Sequence, residues 1–233
     1  MELYSAFIDR INAFQQNSFT NCEQNFLLNP SVREKVSEDG KLSPLFGETV
    51  VFMLSEDTNA VLVELQDRIY ETAGEYLGER LTTDTFHMTL HDLCIFGGSI
   101  TGLSQCYQEV VELTESIKRK KFVISMRTTW VFNMSNTSIV LGLMPTNEAA
   151  YNSLMMYYYL FDEHSPAPYP LTPHITLAYY KSQRIPAQTI RSLAALSRET
   201  PYRELNVSLD SDRLGYYSFS SMNRYERIYP DSL

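Results

Sequence analysis

Basic charge, cysteine and long apolar runs are what this chain is short of, and each shortage excludes something. Only 19 Lys and Arg stand against 28 Asp and Glu, a formal net charge of −9 over 233 residues. The broad basic footprint that duplex nucleic acid demands is missing. A small anion held by local donors is still compatible, so the expected partner is a nucleotide or short oligonucleotide, not an extended duplex. The 3 cysteines, Cys22, Cys94 and Cys106, are an odd number without metal-type spacing, which argues against a disulfide framework or a zinc site. The longest apolar run, Leu154 to Phe161, is too short to span a bilayer. The opening Met1-Glu2-Leu3-Tyr4 lacks a basic stretch leading into an apolar one. The expected setting is therefore the cytoplasm, without membrane contact.

What is present reads as strands and helices in alternation. Residues 1–47 are expected to form an extension packed on a single domain of residues 48–233, with a short helix over Met1 to Phe14. A buried strand fits Thr49 to Leu54, and an amphipathic helix capped by Asp57 or Thr58 follows to about Leu77. Thr85 to Leu93 alternates as a strand, and a second helix runs from about Thr101 to Lys120. Phe122 to Phe132 alternates with Trp130, the single tryptophan, on its core side, and Thr137 to Met144 returns as its hairpin partner. A third helix covers Thr146 to Phe161. A strand runs through Ala178 to Tyr180, a helix through Pro186 to Ser197, and two strands through Glu204 to Leu209 and Leu214 to Phe219. The order of elements repeats weakly. The expected fold is α+β, with two pseudo-symmetric lobes of antiparallel sheet and flanking helices around a central cleft.

The chain has 4 histidines, and two of them open the same tetrapeptide: His87-Met88-Thr89-Leu90 and His174-Ile175-Thr176-Leu177. On a strand, residues i and i+2 share a face, so each histidine projects beside its threonine while Met88, Leu90, Ile175 and Leu177 point into the core. Apposed strands would bring together two imidazoles and two hydroxyls. One imidazole takes a proton from an attacking water and the other gives one to a leaving oxygen; the hydroxyls donate to non-bridging phosphate oxygens. By the same alternation His91 and Tyr180 fall on the histidine face and are candidate substrate contacts. Arg127 and the Lys118-Arg119-Lys120-Lys121 run are read as solvated.

The paired H-x-T-L tetrapeptides resemble the motifs of the 2H phosphoesterase superfamily. The segment Lys35 to Leu54 followed by FHMTLHDL is similar to a poorly characterised microbial branch of it. The resemblance implies a bilobal fold around a cleft, and His87 and His174 as an acid–base pair with Thr89 and Thr176 as phosphate ligands. It also implies hydrolysis of 2′,3′-cyclic phosphates or of 2′-5′ or cyclic oligonucleotide linkages, without metal or other cofactor. Two alternatives stand beside this one. One is a catalytically silent nucleotide-binding module of the same fold. The other is a metal-dependent hydrolase using His87, His91, Asp92 and His174. The oligomeric state is open.

Overall fold

The computed structural model describes residues 2–16, 18–97, 107–199, 202 and 204–229. Its centre is one eight-stranded sheet. In chain order the strands are β1 (Phe46–Met53), β2 (His87–Gly97), β3 (Val123–Met134), β4 (Ser138–Pro145), β5 (His174–Tyr179), β6 (Asn206–Asp210), β7 (Leu214–Ser221) and β8 (Arg224–Arg227). The spatial order is β6-β3-β4-β5-β2-β1-β7-β8, and every neighbouring pair is antiparallel. Between β2 and β5 a single pair, Met88↔Ile175, joins the two halves. These are the middle residues of the two tetrapeptides, so the repeated motifs meet at the centre of the sheet. Each half then reads outward in the same sense: histidine strand, inner neighbour (β1 or β4), outer neighbour (β7 or β3), edge (β8 or β6). The α+β architecture of two pseudo-symmetric lobes is present, built as two halves of one continuous sheet.

Helices α1 (Tyr4–Gln16), α2 (Glu56–Ala73), α3 (Tyr107–Lys118), α4 (Glu148–Asp162) and α5 (Ala187–Ser197) complete the described elements. The residues from Thr101 to Cys106, where a helix start was expected, lie outside the described residues. Helix α2 is capped two to three residues earlier than expected: the Ser55 hydroxyl accepts from the Thr58 amide at 3.2 Å, which satisfies an otherwise orphaned N–H. Asn147 does the same for α4. The buried stripe of α2, Leu62, Leu65, Ile69 and Ala73, follows the 3.6-residue period and faces the core.

Residues 2–45 contribute to that same core. Phe7 and Ile11 of α1 are fully buried, Phe7 against Tyr151 of α4 with ring centroids 5.0 Å apart. Phe19, Phe26, Leu28, Val32, Val36 and Leu45 belong to the same cluster as Met88 and Ile175. Among the described residues no helix is long and apolar enough to cross a membrane.

Strict alternation fails at several places, and three of these failures decide where the expected site and core side chains point. Between β1 and β2 the register runs Val51↔Thr89 and then Val50↔His91, leaving Leu90 as an extra residue. Between β4 and β5 it runs Val140↔Thr176 and then Ile139↔Ala178, leaving Leu177 extra. Both are bulges in which two residues oppose one. A third slip between Thr128 and Val131 puts Phe132 opposite Val140, on the face away from Ile124 and Met126. That corrects the expected single face for residues 122–132. Trp130 lies in the irregular stretch and is only half-buried, not a core residue.

Candidate active site

The two bulges fall on the same residue of the repeat, the leucine of each H-x-T-L. Before the bulge, His87 and Thr89, like His174 and Thr176, are half-buried on one face, while Met88 and Ile175 are fully buried on the other. Val51 and Val140, the register partners of the two threonines, are buried and form equivalent floor positions. After the bulge the faces exchange. His91 and Ala178 turn toward the helices, and Asp92 and Tyr179 turn toward the histidines.

Two expectations are corrected by this exchange. His91 does not share the face of His87. It is 1% exposed, its Nε2 lies 3.2 Å from Asp162 Oδ1 and its ring packs on Tyr158 of α4 at 5.0 Å. Tyr180 does not share the face of His174. It is fully buried, edge-on against Phe26 at 4.9 Å, and among the described residues its hydroxyl has no partner. Neither side chain reaches the cleft. The set His87, His91, Asp92 and His174 is split between the two faces, and among the described residues no three His, Cys, Asp or Glu side chains are grouped as metal ligands would be.

The two imidazoles are held identically. His87 Nδ1 is 2.6 Å from the Thr85 carbonyl oxygen, and His174 Nδ1 is 2.6 Å from the Thr172 carbonyl oxygen. A carbonyl can only accept, so in both rings Nδ1 carries a hydrogen and Nε2 is left to exchange a proton. The repeat is thus six residues long, Thr85-Phe86-His87-Met88-Thr89-Leu90 and Thr172-Pro173-His174-Ile175-Thr176-Leu177. The residue two before each histidine orients it. Among the described residues no protein group bonds the Thr89 or Thr176 hydroxyl, so both are open to a ligand.

The surroundings set the charge. Burial lowers both histidines below the ordinary imidazole value, and the Lys35 ammonium lowers both further. His174 also lowers His87, while the two carbonyl hydrogen bonds and the Asp92 carboxylate act in the opposite direction. Asp92 is held by Thr49 Oγ1 at 3.2 Å and by the Tyr169 hydroxyl at 2.9 Å. Tyr225 of β8 packs on His87 with ring centroids 5.0 Å apart. The Tyr179 hydroxyl donates to Met222 Sδ at 3.3 Å, and the Lys35 Nζ lies 5.3 Å from the Tyr179 ring centroid.

No protein-family model matches the chain, and no curated protein matches it. Solved structures do. A conserved protein of unknown function from Agrobacterium tumefaciens aligns at TM-score 0.58 and 18% identity, over 84% of this chain and 89% of that one. A Thermus thermophilus protein aligns at TM-score 0.52 and 15% identity, over 78% and 94%. E. coli LigT in its apo form aligns at TM-score 0.47 and 15% identity, over 80% and 96%. The chain shares its overall fold with the Agrobacterium tumefaciens and Thermus thermophilus proteins.

Within that fold, Lys35, Tyr179 and Tyr225 are cleft residues the sequence reading missed, and Asp92 is one it named only as a ligand of the metal-dependent alternative. The bulges hid which face Asp92 and Tyr179 share. Lys35 and Tyr225 come from segments with no periodic signal linking them to the histidine strands. Arg127 faces Glu204 at 4.0 Å on the exposed surface, and His164 faces Glu109 of α3 at 3.5 Å.

Proposed function

We propose that the chain is a cytoplasmic, metal-independent phosphoesterase that opens 2′,3′-cyclic phosphates, or cleaves related 2′-5′ or cyclic oligonucleotide linkages. Thr89 and Thr176 donate to the non-bridging oxygens and hold the phosphorus in line with an attacking water. The Nε2 of one histidine accepts a proton from that water as its oxygen bonds phosphorus. The Nε2–H of the other gives a proton to the ribose oxygen as its bond to phosphorus breaks. The products are a phosphate monoester and a free hydroxyl, and the exchanged protonation states reset through solvent. One histidine must start neutral and the other protonated, so the pair titrates as a unit.

The observation that carries this reading is the matched pair of Nδ1-to-carbonyl contacts at 2.6 Å. They leave two equivalent Nε2 atoms, each beside an unpartnered threonine hydroxyl. A structural histidine needs no such duplicate.

Its test is a panel of 2′,3′-cyclic mononucleotides and short 2′-5′ and cyclic oligonucleotides, incubated with the full chain in EDTA, with products resolved by chromatography. Accumulation of a single monoester isomer from a cyclic nucleotide is expected. Tight nucleotide binding without product would instead mark a silent binding module, and turnover abolished by EDTA would mark a metal enzyme.

A further inference from the structure

We propose that Lys35, brought to the cleft by the segment before β1, is a phosphate ligand that binds the non-bridging oxygens and stabilises charge building there during displacement. It rests on the phosphoesterase reading above and adds to the two H-x-T-L motifs a residue they do not contain.

The backbone fixes where Lys35 sits. A short helical turn, Pro30–Glu34, is capped by Asn29, whose side chain accepts from the Ser31 amide at 3.1 Å. The Lys35 amide donates to the Val32 carbonyl and its own carbonyl accepts from the Ser43 amide, both at 2.9 Å. Val32 and Val36 on either side are fully buried. The lysine therefore leaves an anchored turn. Its Nζ lies over Tyr179, which the bulge at Leu177 has turned onto the histidine face.

The charge there is uncompensated at contact distance. Lys35 is half-buried, and among the described residues no carboxylate forms an ion pair with it. Tyr179, with Asp92 and Glu34, keeps its ammonium charged, above the ordinary lysine range, and its field reaches both imidazoles. A partly desolvated cation over Tyr179, with its field on two proton-exchanging rings, is completed by an anion. In a chain of net charge −9, this local cation answers how an anionic substrate is held.

The test compares the full-length wild type with Lys35→Gln and Lys35→Arg, each checked for an unchanged melting midpoint. Inorganic phosphate and a mononucleotide 3′-phosphate are titrated by calorimetry, and kcat, KM and pH profiles are taken on the best panel substrate. Lys35→Gln is expected to weaken phosphate binding at least about tenfold and to lower kcat about 10²-fold, the scale of losing one transition-state donor. Lys35→Arg is expected to restore most of both. In Lys35→Gln the limbs of the kcat/KM profile should also move to higher pH, because the charge that lowers both histidines is gone; a purely structural lysine would not move them. Turnover by the wild type with binding, kcat and pH limbs unaltered in Lys35→Gln overturns this assignment alone. Phosphate binding lost in Lys35→Gln without turnover by any variant keeps the ligand and overturns the phosphoesterase reading. A wild type that binds no phosphate overturns the assignment as well.

Discussion

Tyr180→Phe separates the observed strand geometry from strict alternation. The Tyr180 side chain is fully buried and among the described residues its hydroxyl has no hydrogen-bond partner, while burial holds the phenol well above its ordinary pKa. Such a hydroxyl is desolvated without compensation, which costs about 1–3 kcal/mol. Removing it leaves the ring on Phe26 and opens a gap no larger than one oxygen, so a net gain of about 1–2 kcal/mol is expected. For a chain of this size each kcal/mol moves the melting midpoint by about 2–4 °C, so Tyr180→Phe should melt about 2–8 °C higher. Turnover should not change, because the ring faces away from the histidines. The assay is thermal unfolding followed by circular dichroism, with kcat/KM measured on the same preparations. A lower midpoint, or a kcat/KM that falls while the midpoint holds, would put Tyr180 in the cleft and refute the bulge at Leu177.

Other outcomes follow from the same geometry. A Cβ on Gly142, the register partner of His174, would press into Thr129 Oγ1 and Gln15 Nε2; Gly142→Ala should lose about 1–3 kcal/mol by overpacking, read as a lower denaturant midpoint. Thr89→Val and Thr176→Val should each lower kcat about 10²-fold with little change in melting, since neither hydroxyl holds the fold. Because both histidine values are lowered from 6.5, the kcat/KM bell of the free enzyme should centre below pH 6.5; a centre well above it would contradict the burial argument. The same shifts act on stability. Below pH 6.5 the unfolded chain binds more protons at these positions than the folded one, so their contribution is fully present above 6.5 and declines as the pH falls through the lowered values. Urea melts across that range should record the decline, smaller in His87→Ala.

The duplicated tetrapeptide was legible because period-two alternation holds over the three residues that matter, His, apolar and Thr. One residue further the rule breaks, and it breaks at the same leucine in both copies. A bulge leaves no mark in hydrophobic pattern here: Leu90 and Leu177 are fully buried, as unbulged alternation would also have them. That is why His91 and Tyr180 were expected as substrate contacts, Tyr179 was not, and Asp92 was named only as a ligand of the metal-dependent alternative. The threonine two positions before each histidine was visible as identity, Thr85 and Thr172, but its role is a backbone carbonyl, which no side-chain pattern reports. Lys35 meets Tyr179 across most of the chain, and only the sheet order places them together. Helix α2 was readable from its apolar stripe and α4 and α5 from the residues that start them, whereas β8, with Arg224 and Arg227 at its ends, has no apolar run to reveal it.

The most direct test of the central claim is kcat/KM in EDTA for the wild type, His87→Ala, His174→Ala and the double variant, on the best substrate of the panel. If the two histidines work as one acid–base unit, each single change should cost about 10²–10⁴-fold, and the double change little more than either alone. A single variant that keeps wild-type turnover, or losses that simply multiply in the double variant, would contradict a shared two-histidine mechanism.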